Sequence, residues 1–149
     1  MVSIDLLRVA ATIAIRYATV RRQGNGSPGH EKQVITYPSL HHRLLPVLSR
    51  AYAWIFVGRA MVTIRPSLLG FFLSLVWQVK LYSEMSSELA TGSMSLLPET
   101  HAVSSGLKVL VASTTSADLE TARRSMGGHG FSAAAGIGTS WANYVPANT

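Results

Sequence analysis

Along the first twenty residues, apolar side chains recur at Leu6, Ala10, Ile13, Tyr17 and Val20, while Arg8, Thr12, Arg16 and Thr19 take the other side. This helical period predicts a helix over residues 3–22, with Ser3 or Asp5 able to cap its start. It should stop at Arg22 or Gln23, because Gly24-Asn-Gly-Ser-Pro-Gly29 is a dense loop signal. A short segment, Gln33 to Tyr37, leads to Pro38-Ser39, where Ser39 can cap a second helix. Its apolar row is Leu40, Leu44, Leu48, Ala51, Ile55, Gly58 and Val62, about 25 residues long, with Pro46 predicting a kink and Arg65-Pro66 an end. A third helix is expected from Ser67 to about Glu88, apolar nearly all round at its start. Thr91 to Ser95 reads as a linker, and Pro98 with Glu99 suits a helix's first turn. In that fourth helix Val103, Leu107, Leu110, Val111 and Thr114 share a face that Leu119, Ala122 and Met126 extend. Ser113-Thr-Thr-Ser116 weakens the propensity, and Thr115 with Asp118 resembles a capping box, so the pattern admits two helices; continuity of the face favours one. The tail from Ala133 to Thr149 should hold short helical turns anchored by Trp141 and Tyr144. No strand is indicated. The class is all-α: an antiparallel helix bundle of about four long helices with an irregular C-terminal tail.

The densest chemical signal is Thr121-Ala-Arg-Arg-Ser-Met-Gly-Gly-His-Gly-Phe131, where an amphipathic run gives way to glycines. Two readings stand side by side. Glycine-freed amides beside Arg123 and Arg124 suit a phosphate. Equally, Gly127 can be the left-handed residue that stops a helix, with the two arginines set favourably against the helix dipole.

Composition narrows the field. The chain has 149 residues, the length of one domain, with 48% hydrophobic and only 13% charged residues. That charged share is about half the usual one, which suggests faces buried against other domains or subunits. The net charge of +6 is uneven: ten Lys/Arg face Asp5 and Glu31 in residues 1–80, against three basic and five acidic residues afterwards. The arginines are spaced singly among apolar residues without aromatic interleaving, so no nucleic-acid partner is expected. Arg50 and Arg59 interrupt residues 44–64, and residues 67–79 are too short, so no membrane span is expected. The absence of cysteine removes disulfides, thiolate metal sites and a Cys nucleophile. His30, His41, His42, His101 and His129 show no paired ligand spacing, so no metal site is expected. Gly127-Gly-His-Gly130 follows a helix rather than a strand, unlike a dinucleotide fingerprint. Glu84, Glu88, Glu99, Asp118 and Glu120 read as helix-surface or first-turn acids, and no catalytic residue is assigned.

Two ordered segments resemble a known family. Thr12-Ile-Ala-Ile-Arg-Tyr-Ala-Thr-Val-Arg-Arg-Gln23 is similar to a helix end of the acyl-CoA oxidases, the oxygen-using peroxisomal branch of the acyl-CoA dehydrogenase superfamily. Leu97-Pro-Glu-Thr-His-Ala-Val-Ser-Ser-Gly-Leu-Lys108 followed by Ala122-Arg-Arg-Ser-Met-Gly-Gly-His-Gly-Phe-Ser132 resembles the same enzymes' C-terminal helical region. Tyr37-Pro-Ser-Leu-His-His-Arg-Leu-Leu-Pro46 and Ala51-Tyr-Ala-Trp54 fit between them.

The resemblance implies FAD-dependent α,β-dehydrogenation of fatty acyl-CoA in peroxisomal β-oxidation: a glutamate takes the α-proton, the flavin takes hydride, and oxygen reoxidises it to give peroxide. It implies that Arg21 and Gln23, with Gly127, Gly128, His129 and Gly130, approach the ADP part of FAD, commonly that of a neighbouring subunit. The side chain of His129 either faces the cofactor or caps the turn. The implied partners are fatty acyl-CoA and a homodimer mate or other oxidase domains. Gly24-Asn25 stands where the family often carries phenylalanine, and Pro38 and Leu40 where many members carry glutamine. The family's catalytic glutamate follows a Pro-Ala-x-Thr segment, and this sequence stops at Pro146-Ala-Asn-Thr149. Residues 1–149 are thus expected to be a truncated C-terminal α-helical domain, inactive alone, or alternatively a non-catalytic helical interaction module.

Overall fold

The computed structural model describes residues 2–26, 29–62 and 83–148. The fold is all-α. Helix α1 spans Val2–Val20, α2 spans Pro38–Val62, α3 is described over 83–90, α4 spans Leu97–Ser125 and α5 spans Ile137–Tyr144. Most of the third helix expected from Ser67 to Glu88 lies outside the described residues. The chain forms two compact units, residues 1–53 with 112–149 and residues 54–111.

Helix α1 buries Leu7, Ala10, Ala11, Ala14 and Ala18, a stripe at helical spacing made mostly of alanine. The predicted row is displaced slightly: Leu6, Ile13 and Tyr17 flank this stripe half-buried, and Val20 is exposed. Small side chains on the buried line let backbones approach closely, while the larger flanking residues seal the seam. The core of the first unit joins Ala10, Ala14 and Ala18 to Leu40 and Leu44 of α2, Leu119, Ala122 and Met126 of α4, and Ile137 and Tyr144 of α5. Full burial of a Leu or Ile such as Leu119 or Ile137 contributes about 1.5–3 kcal/mol. The tail is therefore anchored by Tyr144, with Trp141 packed beside it, as the sequence predicts.

Helix α2 begins at Pro38 itself, where a proline's missing N–H is no loss. The carbonyl of Tyr37 accepts from the amides of Leu40 and His41, so Ser39 lies inside the first turn rather than capping it. The helix is continuous through Pro46. Helix α4 is a single element of 29 residues. Thr115 is fully buried within it, and Asp118 forms no capping box.

Asp118 is nearly inaccessible, and the expectation of a surface acid is corrected by its partner. Arg50 of α2 donates to both carboxylate oxygens, with Nε at 2.6 Å from Oδ2. The Asp118 side chain is 3% exposed and that of Arg50 is 43% exposed. This pairing raises the guanidinium's pKa through the Asp118 hydrogen bond, against the opposing effect of burial.

The second correction concerns strands. Helix α1 stops at Val20, before the predicted end at Arg22 or Gln23, and that end and the expected loop instead contribute to a short antiparallel ribbon, β1 (Arg22–Asn25) with β2 (Glu31–Gln33). Arg22 faces Gln33 and Asn25 faces Glu31, so β1 holds one residue more than β2 and bulges at Gln23-Gly24. Gly24 takes φ +86°, and the Tyr37 hydroxyl donates to the Gln23 carbonyl at 3.0 Å. A Cβ at position 24 would sit 2.4 Å from that hydroxyl, so a side chain there would displace Tyr37 as well as strain a left-handed backbone.

The Arg50–Asp118 pair should respond asymmetrically. Removing Arg50 strands a buried carboxylate, whereas removing Asp118 leaves a guanidinium that reaches water. Chemical denaturation should show Arg50→Met destabilising the chain by roughly 3 kcal/mol and Asp118→Asn by clearly less. Equal losses would contradict this asymmetry.

Candidate functional site

The C-terminal end of α1 carries the first group of predicted residues. The Arg21 amide donates to the Tyr17 carbonyl at 2.8 Å, continuing the helical path for one residue beyond the helix. Its own carbonyl accepts from Val34 at 2.9 Å, which ties this end to the chain after β2. Arg21 is exposed, and it follows Tyr17 by four residues, so the two share a face. Gln23 lies in β1, exposed, its backbone held by Tyr37.

The second group follows α4. The helix closes with a tightened turn, Met126 donating to the Arg123 carbonyl at 3.2 Å, and Gly127 then takes φ +60°. Gly127 is therefore the left-handed residue that ends the helix, with Arg123 and Arg124 in the last turn facing the negative end of the dipole. Beyond it the chain makes a 3-10 turn, Gly127–Phe131, not the start of a longer helix.

The three glycines of this turn have different physical reasons. Gly127 is fixed by its backbone conformation. Gly130 is buried, and a Cβ there would lie 1.9 Å from the carbonyl oxygen of Arg123, so the turn can fold back on α4 only if position 130 is bare. Gly128 has neither reason: it is exposed, its φ is not in the left-handed region, and a Cβ would meet nothing within 4 Å.

Two side-chain contacts hold the turn in place. The ring of His129 stacks on that of Tyr17, with centroids 5.1 Å apart and planes at 27°. His129 thus lies against the end of α1, an option the sequence did not suggest. This contact brings the turn to the helix end that carries Arg21, although more than a hundred residues separate them in the chain. At the other side Arg123 lies over Phe131 at 4.2 Å and over Trp141 at 5.1 Å. Its guanidinium donates twice to Glu120, at 2.7 and 2.8 Å, and Arg124 adds a third bond to the same carboxylate at 2.6 Å. Neither arginine is left as a bare cation beside the turn.

Glu120 and Tyr17 carry this geometry without having been singled out as site residues, while the sequence offered Arg123 to a phosphate or the helix dipole and Trp141 only as an anchor of the tail. The advance signals for the Glu120 contacts are the spacings Glu120–Arg123 and Glu120–Arg124, which place acid and base on one helical face. The turn Gly127–Phe131 meets the C-terminal part of α1 through His129 and Tyr17, exposed Arg21 follows four residues after Tyr17, and Gln23 belongs to the ribbon. The donor set suits a diphosphate: an exposed guanidinium, and a turn whose outer face is open backbone at Gly128.

The whole chain, residues 1–149, matches the family model described as acyl-CoA oxidase, C-alpha1 domain. Peroxisomal acyl-coenzyme A oxidase 1 of Arabidopsis thaliana is 38% identical over 146 residues, covering 97% of this chain and 19% of that protein. The crystal structure of acyl-CoA oxidase-1 from Caenorhabditis elegans, complexed with FAD and ATP, superposes with a TM-score of 0.77 at 34% identity, over 99% of this chain and 20% of that one. Acyl-CoA oxidase-2 of the same organism, bound with FAD, ascaroside-CoA and ATP, gives the same TM-score, identity and coverage. The chain spans about a fifth of the length of these relatives.

Glu120 makes a pH prediction. Burial pushes its carboxyl up, but hydrogen bonds from Arg123 and Arg124, with their charges, outweigh it and hold the carboxyl below its ordinary value of 4.5. The unfolded chain therefore takes up this proton first, so the stabilisation is complete above about pH 4.5 and is lost as pH falls through the lower folded value. Glu120→Gln should cost stability at pH 7, and the gap between parent and variant should close in more acidic solution. Denaturation midpoints measured from pH 7 to pH 3 would expose a gap that stays constant, which would exclude this role.

Proposed function

The chain belongs to the acyl-CoA oxidase family, matching its C-alpha1 domain, and on that premise we propose that it contributes one wall of an FAD site and part of a subunit-contact surface in such an oxidase. The reaction in question is the α,β-dehydrogenation of a fatty acyl-CoA with oxygen as acceptor, in peroxisomal β-oxidation. The names of its relatives place them in the peroxisome, and we assign this chain to the same compartment. The flavin supplies the hydride acceptor; the residues of this chain bind and orient its ADP part.

Arg21 is assigned to the diphosphate, where a charge-assisted hydrogen bond from a planar guanidinium adds both energy and direction. Gly127, Gly128 and Gly130 give the turn its bare outer face, and His129 fixes that face against α1 through Tyr17. Gln23, on the neighbouring ribbon, is assigned to the same cofactor at its edge. The observation that carries the reading is Gly128. Its glycine is unexplained by backbone conformation or internal packing, as is Gly106 within α4, but Gly128, unlike Gly106, lies in the turn that meets the end of α1, where a ligand rather than the fold would exclude a side chain.

The test exchanges this segment for its counterpart in Arabidopsis acyl-coenzyme A oxidase 1 and titrates FAD into the apoprotein. Arg21→Ala should weaken FAD binding by about one to two decades, from a charge-assisted bond worth roughly 1.5–3 kcal/mol. Gly128→Val should weaken it similarly while leaving the melting temperature of the apoprotein unchanged. Gly130→Ala, by contrast, should lower that melting temperature. Parent-like FAD affinity in both Arg21→Ala and Gly128→Val, or a collapse of turnover in Arg21→Ala at unchanged affinity, would sink the assignment.

A further inference from the structure

Arg123 stands next to the glycine turn, and sequence reasoning offers it to a phosphate. The structure gives it other work. Its guanidinium is committed twice to Glu120, and its side chain is 11% exposed. Its guanidinium carbon lies over the ring of Phe131, the residue that closes the turn, 4.2 Å from the centroid, and over that of Trp141 of α5 at 5.1 Å. Its backbone carbonyl meets Gly130 so closely that no Cβ fits. Arg123 therefore touches the turn through both its backbone and its side chain, and reaches the helix beyond it.

We infer that Arg123 is a positioning residue for the cofactor surface: it sets the exit of the Gly127–Phe131 turn by cation–π contact, and it does not ligate the phosphate. The physical reason is geometric. A planar cation satisfied at one edge by a carboxylate offers its faces to aromatic rings, and such contacts are directional. With Tyr17 stacked on His129 at the middle of the turn and Arg123 under Phe131 at its end, the segment between them has both neighbours fixed. Glu120 is then the residue that holds the plane of Arg123, and Arg124 shares that carboxylate from the exposed side.

This inference rests on the FAD assignment above, and the experiment separates the two. In the same oxidase chimera, FAD affinity is measured over a range of ionic strength for Arg123→Lys, Arg123→Met, Phe131→Leu and Arg21→Ala, with apoprotein melting temperatures alongside. Lysine keeps the charge of Arg123 and loses the plane. Both Arg123 variants should weaken FAD binding by about tenfold, with the parent's dependence on ionic strength, because no phosphate contact has been removed. Phe131→Leu removes a ring and no charge, and should act in the same direction. Arg21→Ala should both weaken binding and flatten the salt dependence. If Arg123→Lys binds FAD as the parent does, or melting falls while FAD affinity holds in all three variants at 123 and 131, the positioning role is wrong. A flattened salt dependence in Arg123→Met would make Arg123 a phosphate ligand instead. Parent-like affinity in Arg21→Ala and Gly128→Val would remove the FAD surface itself, a separate failure.

Discussion

The contact between the bare backbone of Gly130 and the carbonyl of Arg123 is the constraint on which the site depends. It allows the chain to reverse against the last turn of α4 instead of running on into solvent. Once reversed, Phe131 falls onto the guanidinium of Arg123, α5 follows close behind, and Ile137 and Tyr144 complete the core with the alanine line of α1. Burial alone would not specify this route, since apolar contact is non-directional. The route is specified by a steric opening one hydrogen atom wide and by a planar cation with rings on it.

The alanine stripe of α1 makes a complementary contribution. Because Ala10, Ala14 and Ala18 project so little, the C-terminal end of that helix lies near enough for Tyr17 to reach His129. Exposed Arg21 follows one residue past the same end of that helix. The alanine line and Tyr17 occupy different faces, so this 19-residue helix serves both the core and the turn.

How much of this was legible in the sequence follows from range. The length of α2, the single long α4 and the stop at Gly127 are local consequences of periodicity and glycine, and they were readable. The β ribbon was not, because Arg22 to Asn25 carry no strand-like alternation; their pairing is created by a partner segment and by Tyr37 lodging over the bulge. Asp118 looked like a surface acid for the same reason. Its partner, Arg50, lies 68 positions away, and nothing around either residue announces the other. His129 was legible as a member of the turn, yet its stacking on Tyr17 is a tertiary contact that no spacing rule encodes. The family resemblance pointed to candidate residues, whereas the contacts of Arg123 with Glu120, Phe131 and Trp141 emerged only when the turn was seen folded back.

The bulge at Gly24 limits what can be substituted around it. Position 24 lacks a side chain because the Tyr37 hydroxyl occupies that space and because the backbone there is left-handed, while the hydroxyl is held by the carbonyl of the neighbouring residue. A side chain at 24 would therefore have to displace the Tyr37 hydroxyl and break its bond to the Gln23 carbonyl. Positions 24 and 37 are sterically coupled: the space a side chain would need at one is filled by the ring end of the other, so a change at either alters what the other can hold.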